Sequence, residues 1–511
     1  MKFVTARGMR EGEGRAILKN PALDRSMMDQ AGKGLALAIA AIAKQAGCTY
    51  SVVRLLAGPG NNGGDAFAAA LYLQDMDMLP EVWIACPAEK IKGSAKLFFD
   101  ELSDEEIPYH ELPTEKDWEL SIAEISPPPI LVDALLGTGG KGPPTGVIRG
   151  ALEYLRAQSG RSLVISADIP SGLDADTGEA PGAVATADFT VTMEFPKAGM
   201  AAPAAQAHLG SLICVPVGLP PPQAEAIPDA RPDLHWIADA DVRQVLPRRS
   251  RAAHKGVYGR ALLLGGSAQY PGAIVLAAEG AARSGAGLVQ VATVPAAAAA
   301  VVARVPEAIA GGDLSADVPL AGMDSIMAGP GLGRDPEARR LVARLLRETP
   351  CPLVLDADAL AVLEGKPEAI RPCAQPVVLT PHPGELAALL GTDVAAIQQD
   401  RLGAVREAAE RTGAIVVLKG AGTLVAQTGQ PTWINLTGNP GMACGGSGDV
   451  LAGLLAGLLA QKIDPFQAAC AAVWLHGTAG DIAALQKTQA AMKAGDIARA
   501  LPDAFRQVCL R

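Results

Sequence analysis

Short apolar runs alternate with stretches of helical periodicity along the whole chain. Runs at 52–57, 81–85, 130–133, 163–168 and 189–193 predict strands, and helical patterns at 27–46 and 66–74 lie before or between them. Runs without polar alternation belong to strands buried on both faces, and the helices between them make the sheet mainly parallel. The second half repeats the pattern, with strands predicted at 261–264, 288–293, 325–327, 353–356, 377–380 and 415–418. Nearly all of these end in a small or polar cluster: GGS, GPGLG, DADAL, TPHPGE or KGAGT. Ligands of open parallel sheets bind beyond the carboxyl ends of the strands, so this rim predicts one large site.

The stretch 218–232, GLPPPQAEAIPDARP, is rich in proline and lacks apolar periodicity. It reads as a linker. The predicted organisation is one α/β domain over residues 1–218, a linker over 219–233 and a second α/β domain over 234–511. The alanine run at 296–300 is predicted helical, because alanine is the best helix former. The apolar run at 450–460 is too short to span a bilayer and reads as a buried helix.

Composition narrows the function classes. Apolar residues make up 49% of the chain, ample for real cores, and the net charge is −10. A nucleic-acid partner calls for a basic face, and none is visible. The one basic cluster, Arg248, Arg249, Arg251 and Lys255, reads as solvated linker. Nor is a membrane partner expected. Residues 1–15 have no apolar core of a signal peptide. Eight scattered cysteines show no metal or disulfide spacing. They read as small buried hydrophobes in a reducing, cytoplasmic setting.

Two loops carry the chemistry. The first runs from a strand through Gly60, Asn61, Asn62, Gly63, Gly64 and Asp65 into a helix. Glycines there can take positive φ or approach a ligand closely, and the helix start offers unpaired N–H groups. No Lys-Ser/Thr pair follows, so this is not a P-loop. Two further strand ends would bring Asp133, Asp168 and Ser171 to the same rim. An oxygen-only set with Asn62 suits a hard cation. Asp133 reads equally as a turn cap, whereas Asp168, beside a Ser-Gly turn, reads as a general acid or base. The second loop, 439–451, leads four small residues into the apolar helix. It predicts an anion hole at the helix start, with Asp449 as the base that deprotonates a hydroxyl for phosphoryl transfer. His382 between prolines reads as a site residue or as a surface turn histidine. Lys419, Gly420, Ala421, Gly422 and Thr423 could hold a nucleotide, and 329–333 allows close approach to a flat ligand.

These motifs carry a resemblance. GPGNNGGDA, VDALLGTGGKGP and ADIPSGLDADTG resemble the NAD(P)H-hydrate epimerase domain, a Rossmann-like three-layer fold. HKGVYGRALLLGGSAQYPGA, AGPGLG, TPHPGE, VLKGAGT and GNPGMACGGSGDVLAG resemble the ADP-dependent NAD(P)H-hydrate dehydratase, a ribokinase-like α/β fold. The resemblance implies a bifunctional enzyme, isomerase and lyase, that repairs hydrated NADH and NADPH. It implies that Asn61, Asn62, Gly63, Gly64, Asp65, Gly137, Thr138, Gly139, Gly140, Lys141, Gly142 and Pro143 contact the hydrated dinucleotide. Asn62, Asp133 and Ser171 would hold K+, and Asp168 would touch the reacting ring. In the second site Ala273, Gly331, His382 and Asp449 would line the hydrate. Lys419 to Thr423 and Gly448 would bind ADP, accompanied by Mg2+. Ala66, Cys444 and Ser447 depart from the family's usual Gly, Thr and Thr. A homo-oligomer is expected. Two other readings stay open: a ribokinase-like small-molecule kinase with an added module, and a first domain that binds without catalysing.

Overall fold

The computed structural model describes residues 1–124, 127–312, 314–315 and 317–509. The chain folds as two compact units, Met1–Pro232 and Asp233–Arg511. Pro221–Glu225, inside the expected linker, is a short helix, and Ile227 is buried against Gly8 and Gly12. Much of the proline-rich stretch is therefore packed into unit 1, because Ile227 supplies an apolar anchor that the composition hid.

Unit 1 holds seven strands: β1 (Val52–Ala57), β2 (Leu79–Ile84), β3 (Tyr109–Glu111), β4 (Ile130–Ala134), β5 (Leu163–Ala167), β6 (Phe189–Met193) and β7 (Ser211–Val215). They form one parallel sheet in the order β3-β2-β1-β4-β5-β6-β7. Leu56 and Leu131 face one side, packed with Trp118 and Tyr154 of helices Glu115–Glu124 and Gly146–Gln158. Successive strand residues point to opposite faces, so Leu55, equally buried, serves the other layer. That layer includes α2 (Ala22–Ala46) and α3 (Asn61–Asp75), which follow α1 (Ala6–Lys19). The strand order reverses between β1 and β4, and at such a switch point the loops leave a crevice.

Unit 2 holds ten strands: β8 (Leu234–Trp236), β9 (Arg260–Leu264), β10 (Leu288–Ala292), β11 (Ile309–Ala310), β12 (Ser325–Ala328), β13 (Leu353–Leu355), β14 (Val377–Leu379), β15 (Ile415–Leu418), β16 (Thr423–Ala426) and β17 (Thr432–Asn435). Their order is β11-β10-β9-β12-β13-β14-β15-β16-β17-β8, with β16 antiparallel to both of its neighbours. The switch point lies between β9 and β12. Behind the sheet, α4 (Pro271–Arg283) crosses α5 (Ser447–Ala460), flanked by α6 (Pro465–Lys487) and α7 (Ala494–Cys509). A Cβ added at Gly453 would stand 1.9 Å from Ala277 O, and one at Gly280 would stand 2.3 Å from Val450 O. The two glycines let these helices touch backbone to backbone, which sets the direction of the α5 N-terminus. Helix α6 is long and apolar enough to cross a membrane, yet 89% of its most apolar window is buried inside the unit.

Some expectations need correction. Strands β3, β7, β8, β11, β16 and β17 went unpredicted; several are only two to four residues long, and β16 grows directly out of the Gly-rich loop. Helix α3 starts at Asn61, not Ala66, so Asn62, Gly63 and Gly64 are helical and buried. Only Cys86, Cys351 and Cys470 are buried cysteines, and Cys509 is exposed.

Candidate active sites

In unit 1 the glycines after β1 serve close packing. Gly58, Gly60, Gly63 and Gly64 all keep negative or extended φ. A Cβ at Gly58 would sit 1.9 Å from Leu135 O, and one at Gly63 would sit 2.0 Å from Gly58 O. The loops after β1 and β4 are thereby pressed together, which corrects the expectation of positive φ. Asn62 Nδ2 donates to Leu136 O at 3.0 Å, while its Oδ1 is buried without a hydrogen bond. Ser171 Oγ reaches the same carbonyl at 3.1 Å and lies 2.5 Å from Asp133 Oδ1. Asp133, fully buried, also accepts from Ser171 N at 2.8 Å and Ser166 Oγ at 2.9 Å. Burial pushes its carboxyl up, and these hydrogen bonds pull it back in part. Asn62 and Ser171 thus meet at the Leu136 carbonyl, and Ser171 links that carbonyl to the Asp133 carboxylate.

Asp168 follows β5 with φ of 63°, a conformation that costs a non-glycine residue energy and clusters at functional sites. Lys197, 1% exposed, donates from Nζ to Asp168 Oδ1, to Thr192 Oγ1 at 3.0 Å and to Met193 O at 3.2 Å. Met193 N and Thr192 Oγ1 also donate to Asp168 Oδ1, at 3.2 and 3.4 Å. Among the described residues every hydrogen bond to this carboxylate falls on Oδ1, so Oδ2 has no protein donor. Burial, then the charge of Asp168, pushes Asp65 well above the usual carboxylate range. Thr138 O accepts from Arg10 at 2.9 Å, and the exposed turn from Gly139 to Pro143 lies beyond it. Lys197 was missed because EFPKAGM shows no glycine-rich or acidic cluster.

In unit 2 the switch-point loops also meet through glycine: a Cβ at Gly265 would lie 2.4 Å from Pro330 O. Gly331 has φ of 63°, and its added Cβ would lie 3.2 Å from Ala273 Cβ, so these two expected residues are neighbours. Asp449 is the third residue of α5 rather than the first, with Gly446 at φ of 90° ahead of it. Gly446 packs under Leu276 of α4. His476 Nε2 meets Ser447 O at 2.9 Å and holds the loop from below. Burial drives that imidazole down to about 4, so it stays neutral.

Lys419 Nζ donates to Asp356 Oδ1 at 2.8 Å and lies 3.6 Å from Glu385. Burial would lower the lysine, but Asp356 and Glu385 more than offset this and raise it. Asp449 is pushed up to about 7 by burial first and by Asp356 second. A Cβ on Gly448 would fall 3.1 Å from Lys419 Nζ, so the start of α5 lies against the lysine of the KGAGT loop. Gly420 takes φ of 137° beside Arg401, whose guanidinium donates to Lys419 O and Gly422 O at 3.3 and 3.4 Å. Thr423 Oγ1 closes the turn onto Gly420 O at 2.8 Å across Ala421 and Gly422. His382 caps the helix Pro383–Leu390: Nδ1 accepts from Gly384 and Glu385, and Glu385 returns a bond to His382 N at 2.8 Å. Asp356 and Glu385 lay in the quoted DADAL and TPHPGE clusters but were not singled out. Only the fold shows that they share Lys419.

Two acid clusters, one at the strand ends of each unit's own sheet, mark a two-domain α/β enzyme with a Rossmann-like and a ribokinase-like half. The family described as YjeF-related protein N-terminus matches residues 24–199, and the family described as NAD(P)H-hydrate dehydratase matches 261–503. A bifunctional NAD(P)H-hydrate repair enzyme of Moorella thermoacetica is 37% identical over 471 residues, covering 89% of this chain and 88% of the relative. Its counterpart in Gloeobacter violaceus is 38% identical over 489 residues, covering 93% and 92%. The chain belongs to the family of bifunctional NAD(P)H-hydrate repair enzymes. The crystal structure of a Bacillus subtilis ADP/ATP-dependent NAD(P)H-hydrate dehydratase, co-crystallised with ATP and Mg2+, matches with a TM-score of 0.51 at 35% identity. That match covers 54% of this chain and 98% of the Bacillus chain.

Proposed function

We propose that unit 1 interconverts the R and S hydrates of NADH and NADPH, and that unit 2 uses ADP to remove water from the S form, giving AMP and phosphate. The observation that carries this reading is the pair of separate acid sites. Asp168 is held by Lys197 in one, and Asp449 stands over an anion loop in the other. In unit 2, Asp449 takes the proton of the ring hydroxyl, and that oxygen attacks the terminal phosphoryl group of ADP, releasing AMP. The ring nitrogen's lone pair then expels phosphate, and loss of a ring-carbon proton restores the dihydropyridine. Phosphorylation turns a poor leaving group into a good one. Lys419, the N–H groups around Gly448 and the 419–423 loop hold the nucleotide. Mg2+ would neutralise the phosphates when bound, and the carboxylates of Asp356 and Glu385, both beside Lys419, would be its hard oxygen donors. Ala273, Gly331 and His382 line the hydrate.

In unit 1, the residues Asn61 to Asp65 and Gly137 to Pro143 contact the hydrate, and Asp168 handles its hydroxyl proton. Asn62, Asp133 and Ser171 hold K+. Supporting this, Asn62 Oδ1 is buried without a donor, and every candidate ligand atom is a hard oxygen. The eight cysteines, none of them in a disulfide, agree with a cytoplasmic setting. Light scattering would test self-association.

Incubating mixed R and S NADH hydrate with the protein, Mg2+, K+ and ADP tests the whole reading through recovery of reduced-nicotinamide absorbance. Full recovery means both units work. A plateau at the S fraction makes unit 1 a binding module. No recovery, with ATP also failing, favours a small-molecule kinase, which would leave a stable phosphoester.

A further inference from the structure

The epimerisation proposed above takes water from one face of a ring carbon and returns it to the other, and Asp168 is a single acid–base group. Hydration of an enamine places the hydroxyl on the carbon bonded to nitrogen. To invert that carbon, the hydroxyl takes a proton and leaves as water while the nitrogen lone pair forms a C=N+ bond. Water then adds to the opposite face and gives up a proton. Protons and electrons balance over the cycle, but an acid and a base must both be at hand.

The N-terminal segment supplies a candidate. Val4 pairs in parallel with Lys197: Val4 N donates to Pro196 O at 3.0 Å and Ala198 N donates to Val4 O at 2.9 Å. The strand fragment that carries Lys197 is therefore stitched to Val4, two residues before α1. Thr5 caps the helix, and Ala6 N donates to Asp176 Oδ1 at 2.7 Å, fixing its direction. Residues three apart share a helix face, and Arg10 and Glu13 are so placed. Arg10 reaches Thr138 O in the loop after β4. Glu13 is half-buried, and its carboxyl enters no hydrogen bond or ion pair among the described residues. A carboxyl brought out of water with nothing to hold it contributes little to stability. Helix α1 lies outside the matched residues 24–199.

We propose that Glu13, carried by α1, is a second acid–base residue of this site and works opposite Asp168 in epimerisation. The proposal rests on the epimerase reading of unit 1. The charged groups acting on Glu13 are Asp168, Lys197, Arg10 and Glu194, and Glu13 in turn acts on Asp65. Burial first, and the charge of Asp168 second, push its carboxyl up to about 7. The protonated form is therefore available near neutrality while Lys197 pairs with Asp168. Glu13 then supplies a proton on one step while the Asp168 carboxylate, paired with Lys197, accepts one on the other.

The test uses the full chain and the R hydrate of NADH without ADP, so that unit 2 is idle, with S product measured by chromatography. Glu13→Gln should lower kcat about 100-fold or more, hold KM near the wild-type value, and lose the wild-type limb of the kcat/KM profile near neutrality. Glu13→Asp should regain part of the rate. Unfolding temperature and ADP-dependent dehydration of pure S hydrate report whether each variant is folded. Unchanged kcat and pH profile in Glu13→Gln would overturn the proposal. So would a raised KM at full kcat, or a Glu13→Asp variant as slow and as unstable as Glu13→Gln. If the wild-type chain itself does not speed R-to-S conversion over a protein-free sample, the epimerase reading falls and takes this proposal with it.

Discussion

Asp356 accepts a hydrogen bond from Lys419 Nζ at 2.8 Å, with the carboxylate 1% exposed, and this pair joins the loop after β13 to the loop after β15. A buried carboxylate deprived of its cation is left with its full desolvation cost. Lys419→Met should therefore destabilise unit 2 by about 3–5 kcal/mol and abolish ADP-dependent dehydration. Thermal unfolding and the absorbance assay read the two effects. A variant as stable as wild type would show that the buried Asp356–Lys419 pair does not hold unit 2 together.

Asp449 gives a pH signature. Its folded carboxyl sits near 7, against about 4 when unfolded. Below pH 4 both states hold the proton. Between 4 and 7 only the folded state does, so stability falls as pH rises through that window. Asp449→Asn has no such proton. Its unfolding midpoint, measured without nucleotide, should match wild type at pH 4 and exceed it at pH 8, by about 1–3 kcal/mol. The same variant should lose dehydration and keep epimerisation. In the wild type, kcat/KM for the S hydrate should climb with pH to a midpoint of about 7.

Asp168→Asn should do the reverse, removing R-to-S conversion while sparing dehydration of pure S hydrate. A loss of about 100-fold or more is expected for an acid–base group. Loss of both activities would contradict two independent sites.

Cation exchange probes Asn62. Replacing K+ by tetramethylammonium should lower the unfolding temperature of the wild-type chain, because buried oxygens lose their ligand. Asn62→Ala should erase the difference between the two buffers. An equal shift in both proteins would place the cation elsewhere.

The crossing of α4 and α5 allows a packing test. Gly453→Val would push side-chain atoms into Ala277 O, and overpacking of this kind costs about 1–3 kcal/mol. Because the crossing aims the α5 N-terminus, dehydration should fall more than stability alone explains. Gly14, with nothing within 4 Å of an added Cβ, is the control: Gly14→Ala should leave dehydration unchanged and, inside α1, hold or raise stability by up to about 1 kcal/mol.

Much of this was legible from local pattern. Unbroken apolar runs such as 52–57 and 415–418 became buried parallel strands, since a strand covered on both faces needs no polar alternation. The glycine-rich end of β1 and the start of α5 marked both candidate sites, and so did Asp168 and Asp449, because loop chemistry is written in consecutive residues. What consecutive residues do not carry is distance. Gly58 is demanded by the carbonyl of Leu135, not by its own φ, and that reason exists only once β4 lies beside β1. Lys197 belongs to Asp168 across 29 positions, and Lys419 to Asp356 across 63. Helix α1, which carries Glu13, is tied to the strand fragment around Lys197 by Val4, to Asp176 by Ala6 and to Thr138 by Arg10, and none of these ties is visible in consecutive residues. Each of these contacts forms where parallel strands from distant segments end side by side, so it is the sheet order that decides which charges meet and how far burial moves them.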